Sequence, residues 1–415
     1  MNPIANRFSW AFQKNRHYLD TFIFRRTPEF TYRSSAGTIR GEIPVFTFHL
    51  ALPDWFEEQC QFLVENGYRT LTCAEMLSYL QNGKRPVAKS IMLTFDDGLK
   101  HVWTVAYPIL RKYNLKATCF LIPGCISAED RRVRPNLEDF WSGTVSMDEI
   151  MRLEENGSNL ATWPEIEQMH NSGVIDFQSH TMYHSLVFTS PKVFDFVNPH
   201  YNVHFYGNIH VPLYQVAGRD NVVREPLPGM PVYTSEPRML AGRRYFDDEH
   251  LREHCIQTVS AVGTEAFFDK RNWRALLRDK VREFRTRHRL DERFEAPAER
   301  DLSVYRELRA SKETIEAHLP GKKVTHLCFP WYDAASFAVA AAVKAGFEAC
   351  YFGTVSGRHT NRPGDSPLSV TRVEDIFLER LPGKGRKSVL ELFKKKWELR
   401  HVGQMLKPIC GQEEQ

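Results

Sequence analysis

No stretch of this chain approaches the roughly 18 consecutive apolar residues that a membrane-crossing helix needs. The opening MNPIANRFSWAFQKNRHYLD also lacks the positive start, apolar stretch and small-residue cleavage site of a secretory leader. The expected location is cytoplasmic. Charge of one sign is scarce: 55 Lys and Arg face 51 Asp and Glu, a net +4 over 415 residues. No global field therefore draws the chain onto nucleic acid, and no such partner is expected. The 8 cysteines are scattered and form no C-x-x-C pair; with mostly apolar neighbours they read as buried, reduced thiols. Repeats and low-complexity tracts are absent as well.

What is present is a folding composition, 42% hydrophobic and 26% charged. The length allows two or three domains, or one α/β barrel with long insertions. Short β-branched or aromatic runs (PVFTFH, SIMLTF, ATCFLI, VIDFQSH, VTHLCFP, EACYFG) alternate with helical patterns such as DWFEEQCQFLVENG and DAASFAVAAAVKAG. That rhythm predicts β-α units and a parallel sheet. Polar residues recur where the runs end, at His49, Asp96 with Asp97, and His180. In α/β barrels those strand ends carry the chemistry.

The sharpest signal is Thr94-Phe95-Asp96-Asp97-Gly98, which closes an apolar strand. Two adjacent carboxylates are costly to bury, because each needs a cation and their repulsion raises one pKa. A metal ion removes the conflict, and Gly98 permits the bend that turns both side chains to one site. The second signal is His180-Thr181-Met182-Tyr183-His184 after VIDFQ. Imidazoles at i and i+4 share one face of a helical turn and can grip one ion, with Asp96 or Asp97 as the carboxylate ligand. Two histidines and a carboxylate serve zinc hydrolysis and also non-haem iron.

TFDDG followed by SHTMYH and then FPWYD resembles the polysaccharide deacetylases, the NodB-homology domain or carbohydrate esterase family four. The similarity runs over most of residues 44–190 and 305–375. The resemblance implies an α/β fold: a distorted (β/α) barrel of the polysaccharide deacetylase type, with a long, largely helical insertion and a basic C-terminal helix. The expected units are an N-terminal extension at 1–43, barrel at 44–190, an insertion or lid at 191–304, barrel again at 305–378 and a basic amphipathic tail at 379–415. The implied activity is removal of an N-acyl group, chiefly N-acetyl, from an amino sugar with one divalent metal, commonly zinc. Carried across, Asp96 is the general base, and Asp97, His180 and His184 hold the metal. Trp331 or Tyr332 gives the oxyanion amide, and Pro330 and Tyr332 line the substrate.

Departures from the family pattern are visible. Leu327 and Cys328 stand where some members carry an arginine ahead of the proline, and no Leu-x-His motif supplies the catalytic acid. His49 is read either as that acid or as a core histidine, with His204, His210 and His359 as weaker candidates. Arg372, in LSVTRVED, reads as a surface or supporting ion pair. The tail from Glu379 to Lys407 holds nine basic residues against three acidic, locally +6. It is expected to dock on the barrel, with peripheral contact to an anionic membrane as the alternative. A silent barrel that binds glycan, membrane or protein, and a hydrolase of non-sugar amides, are the competing functions.

Overall fold

The computed structural model describes residues 28–33, 39, 41–84, 89–152, 159–199, 201, 213–216, 219–221, 226–353, 360–392, 394, 395 and 398. The first strands are β1 (Val45–Phe48), β2 (Arg69–Thr70), β3 (Ser90–Phe95), β4 (Ala117–Leu121) and β5 (Ile175–Ser179). The chain then leaves the barrel through β6 (Leu186–Phe196), β7 (Tyr214–Val216), β8 (Arg219–Asn221), β9 (Pro231–Pro237), β10 (Tyr245–Phe246) and β11 (Arg293–Phe294). It returns through β12 (His326–Cys328), β13 (Ala349–Phe352), β14 (Val370–Thr371) and β15 (Val373–Glu374). The order β14-β13-β12-β5-β4-β3-β1-β15 is parallel throughout. One residue, Arg372, separates the two end strands, so the segment 370–374 bridges β13 to β1 and the barrel closes almost completely.

Residues of these strands are buried on both faces, as parallel strands under helices must be. Phe46, Phe48, Leu93, Phe95, Cys119, Leu121 and Phe177 pack outward against the helices, whereas Val45, Met92, Phe120, Cys328, Tyr351 and Val370 fill the interior. The period of two then fixes the site. Continuing Met92-Thr94 puts Asp96 inside, Gln178 leads to His180, and Val370 leads to Arg372. Helices Cys73–Asn82 and Trp163–Asn171 are started by capping boxes, Thr72 with Glu75 and Thr162 with Glu165.

The insertion is more β-rich than its composition suggests. Antiparallel pairs β6–β9, β7–β8 and β10–β11 precede or flank the helices Glu249–Ser260, Thr264–Phe268 and Trp273–Arg287. It has its own cores, one around Phe188, Tyr214, Tyr233 and Tyr245 and another around Phe196, Leu251, Leu277 and Val281. The first strand, β6, starts two residues after His184, and the 22-residue helix Pro297–His318 carries the chain back across position 304 onto β5.

Seven cysteines, Cys60, Cys73, Cys119, Cys125, Cys255, Cys328 and Cys350, are free and buried. Cys410 lies outside the described residues. The described part of the tail docks on the barrel: Lys387 pairs with Glu379 (2.7 Å) and Glu58 (3.0 Å), and Lys395 with Glu58. Arg380 and Arg386 donate to the carbonyls of Thr31 (3.0 Å) and Phe30 (2.9 Å), tying the turn Glu29–Tyr32 to the same surface. Among the described residues, no helix is long and apolar enough to cross a membrane.

Candidate active site

Every expected site residue among the described ones falls at the C-terminal rim of the barrel strands. Asp96 follows β3, its N–H donating to Phe48 O (2.9 Å) and its carbonyl accepting from Gly98 (2.8 Å). Asp97 and Gly98 both take left-handed backbone, at φ 67° and 74°. A Cβ on Gly98 would lie 2.6 Å from Leu121 Cδ2, so the double bend needs glycine there.

The helical turn expected across His180 and His184 is absent. The segment is a loop in which Thr181 (φ 66°) and His184 (φ 52°) are left-handed. Short hydrogen bonds hold it: His180 N–H to Leu121 O (2.7 Å), Thr181 N–H to Ser179 Oγ (3.2 Å) and His184 N–H to Thr181 Oγ1 (3.1 Å). The bent loop still brings the imidazoles together, with ring centroids 5.0 Å apart.

His180 Nε2 stands 3.5 Å and His184 Nε2 3.9 Å from Asp97 Oδ1, and the three ligand atoms lie within 4.8 Å of one another. Ligands about 2 Å from one tetrahedral ion are about 3.3 Å apart, so the spacing suits a shared cation better than direct bonds. His180 Nδ1 is 2.8 Å from the Cys328 carbonyl, which fixes the proton on Nδ1 and leaves Nε2 as a lone-pair donor. Burial pushes the pKa of His180 down to about 4, keeping it neutral. Asp97 Oδ1 is buried without a hydrogen-bond partner. Burial, and then repulsion from Asp96, push the pKa of Asp97 up to about 8. An ionised Asp97 thus calls for a positive ion at this place, and the residues present fit a divalent metal.

Of the two readings of Arg372, a surface or a supporting ion pair, the structure excludes the first and shows the second. Its side chain is fully buried and grips Asp96 with two bonds, Nη1 to Oδ1 at 2.7 Å and Nη2 to Oδ2 at 2.9 Å. Burial alone would raise the Asp96 carboxyl, but the Arg372 charge and hydrogen bonds hold it well below the carboxylate range. Arg372 thus brings a guanidinium to Asp96 from the far end of the sequence, while Leu327 and Cys328 stand ahead of Phe329 and Pro330. Cys328 Sγ adds a contact to Asp96 Oδ1 at 3.7 Å.

His49 is no core histidine. Its side chain is 41% exposed, with Nε2 3.9 Å from Asp96 Oδ2. Tyr332 packs edge-on against His49 at 5.9 Å, and Trp331 lies over His184 at 5.2 Å. Both are about one-third exposed, and both are left-handed, at φ 61° and 64°. Gly353 makes room: a Cβ there would meet Tyr332 Cβ at 2.7 Å. Pro330 is buried beneath them. His204, His210 and His359 lie outside the described residues. The signal that could have found Arg372 is the alternation of Val370, Arg372 and Glu374, which points a cation inward.

Residues 83–195 match the family described as polysaccharide deacetylase. Over 127 residues the chain is 36% identical to the putative polysaccharide deacetylase YxkH of Bacillus subtilis (strain 168), covering 28% of this chain and 46% of that protein. Over 128 residues it is 30% identical to a poly-beta-1,6-N-acetyl-D-glucosamine N-deacetylase of Staphylococcus aureus (strain MSSA476), covering 30% of this chain and 35% of the relative. The chain thus spans less than half the length of these curated relatives. Among solved structures, the BpsB deacetylase domain of Bordetella bronchiseptica aligns at a TM-score of 0.47 and 15% identity, over 82% of this chain and 98% of that one. The segment 83–195, which contains Asp96, Asp97, His180 and His184, is thus the part of the chain that is similar to the polysaccharide deacetylase family.

Proposed function

We propose that this protein hydrolyses the N-acyl group, N-acetyl in the first instance, of an amino sugar within a glycan or glycan precursor, using one divalent metal. The observation that carries the reading is the convergence of Asp97, His180 and His184 beside an aspartate held ionised by Arg372. Two imidazoles and a carboxylate suit zinc. When bound, such an ion supplies a Lewis acid and makes water nucleophilic at neutral pH.

The chain's own residues do the rest. Asp96 accepts the proton of the attacking water, because each oxygen bonded to Arg372 keeps a second lone pair. His49, at the mouth beside Asp96, returns a proton to the leaving amine. The Trp331 N–H, at the left-handed turn after Pro330, serves the developing oxyanion. Pro330 and Tyr332 shape the sugar's seat. The Staphylococcus aureus relative is named for poly-beta-1,6-N-acetyl-D-glucosamine, which makes that polymer the first substrate to try.

The test is acetate release from oligomers of N-acetylglucosamine, measured before chelation, after it, and after zinc is restored. Chelator-sensitive release that zinc recovers supports the proposal. Release that is indifferent to chelation, or no release from any N-acetylated glycan by metal-loaded protein, contradicts it.

A further inference from the structure

The whole chain carries +4, yet Lys270 to Arg289 alone carries nine basic residues and two acidic ones, +7, leaving the remainder at −3. These residues form the helix Trp273–Arg287 and its flanks. Trp273, Leu277 and Val281 bury one face in the insertion. On the neighbouring face Arg274, Arg278, Arg282 and Arg285 recur at spacings of three and four, with Arg271 and Arg289 just beyond the ends.

Several of these guanidiniums are occupied within the protein. Arg274 pairs with Asp195 (2.9 Å), Arg282 with Asp279, and Arg285 with Glu292 (3.3 Å). Arg271, Arg278 and Arg289 are exposed, and none has a carboxylate partner among the described residues. Beside them stands Phe194 on β6, at 62% the most exposed aromatic among the described residues. Arg278 Nη2 contacts the Phe194 carbonyl at 3.5 Å, and Arg274 holds the adjacent Asp195, so the strand segment that carries this exposed ring lies against the arginine stripe.

We propose that this face of the insertion docks on an anionic lipid surface. Guanidinium groups pair bidentately with phosphate, and their aliphatic stems lie against apolar matter while the charge reaches the headgroups. An exposed aromatic among them enters the interface between headgroup and acyl chain. A soluble polyanion would use the arginines and leave Phe194 without a role, which is why the lipid surface is favoured. This surface is separate from the basic tail, whose Lys387 and Lys395 are paired with Glu58.

The test is cosedimentation of the full chain with vesicles of phosphatidylglycerol and phosphatidylcholine in equal parts, and with phosphatidylcholine alone. Binding to the anionic vesicles only, released by high salt, is expected. The triple variant Arg271→Gln, Arg278→Gln, Arg289→Gln should bind roughly a hundredfold more weakly, since each basic residue near such a surface contributes about fivefold. Its thermal midpoint should match the parent, because the three side chains are exposed. Phe194→Ser should weaken binding severalfold while keeping the preference for anionic lipid. Equal binding to both vesicle types, undiminished binding by the triple variant, or binding of soluble polyphosphate with no affinity for vesicles would each overturn the proposal.

Discussion

Where the barrel strands begin, Asp176 lies against Lys322 and accepts from Gln178 Nε2 (2.9 Å), while Gln178 Oε1 takes the N–H groups of Thr325 (3.1 Å) and His326 (3.0 Å). His326 Nδ1 meets the Tyr351 hydroxyl at 3.2 Å. One carboxylate faces one ammonium, and the polar groups close on one another. Where the same strands end, Asp96 and Asp97 face a single guanidinium, and Asp97 Oδ1 has no hydrogen bond. Backbone strain follows the same division. Of the six described non-glycine residues with positive φ, Asp97, Thr181, His184, Trp331 and Tyr332 sit at this rim and only Asn114 does not. Such conformations cost on the order of 1–3 kcal/mol each and persist where the surroundings impose them. The first end is an internally balanced plug. The second is short of one positive charge and strained, the condition of a site built around something it binds.

The comparison breaks most severely at Arg372. Replacing it by Gln leaves Asp96 buried without its cation, and removing one partner of a buried pair costs about 3–5 kcal/mol. Acetate release should fall by about a thousandfold alongside that loss, read by turnover and by denaturant unfolding of the same sample. A variant as stable and active as the parent would mean that Arg372 neither balances nor orients Asp96.

The opposite end should respond in stability alone. Lys322→Met removes the partner of Asp176, whose side chain is 25% exposed and can recruit water. The loss should be about 1 kcal/mol in urea unfolding, with kcat/KM unchanged. A fall in kcat at constant stability would show that the two ends are coupled, and the distinction drawn between them would fail.

The smallest change is expected at Tyr332→Gly. Glycine takes φ 64° without strain, so stability should hold or rise by up to about 1 kcal/mol. The open mouth should raise KM a few-fold with kcat largely kept. A collapse of kcat would instead give Tyr332 a part in the chemistry.

Much of the barrel was legible because parallel strands buried on both faces leave apolar runs, and because charged residues at their ends stand out against those runs. Asp96, Asp97, His180 and His184 were found in that way. Their local geometry was not. Nothing in Thr181 or His184 announces left-handed backbone, so an i, i+4 spacing was read as a helix when a stapled loop produces the same convergence. For Arg372 an ion pair was legible, but not its burial or its partner, because Asp96 lies 276 residues away and the strand is interrupted at Arg372. The strands of the insertion were hidden by Pro, His and Tyr, which read as loop although Tyr214, Tyr233 and Tyr245 build a core there.

The central claim is that neighbouring aspartates divide the work, Asp97 holding a metal and Asp96 moving the proton. Its most direct test sets Asp96→Asn beside Asp97→Asn and measures zinc affinity by titration calorimetry and acetate release on the same preparations. The account predicts that Asp96→Asn still binds one equivalent of zinc while turnover is lost, and that Asp97→Asn loses both. An Asp96→Asn protein that remains within a few-fold of parental turnover, or an Asp97→Asn protein that binds zinc as tightly as the parent, would contradict it.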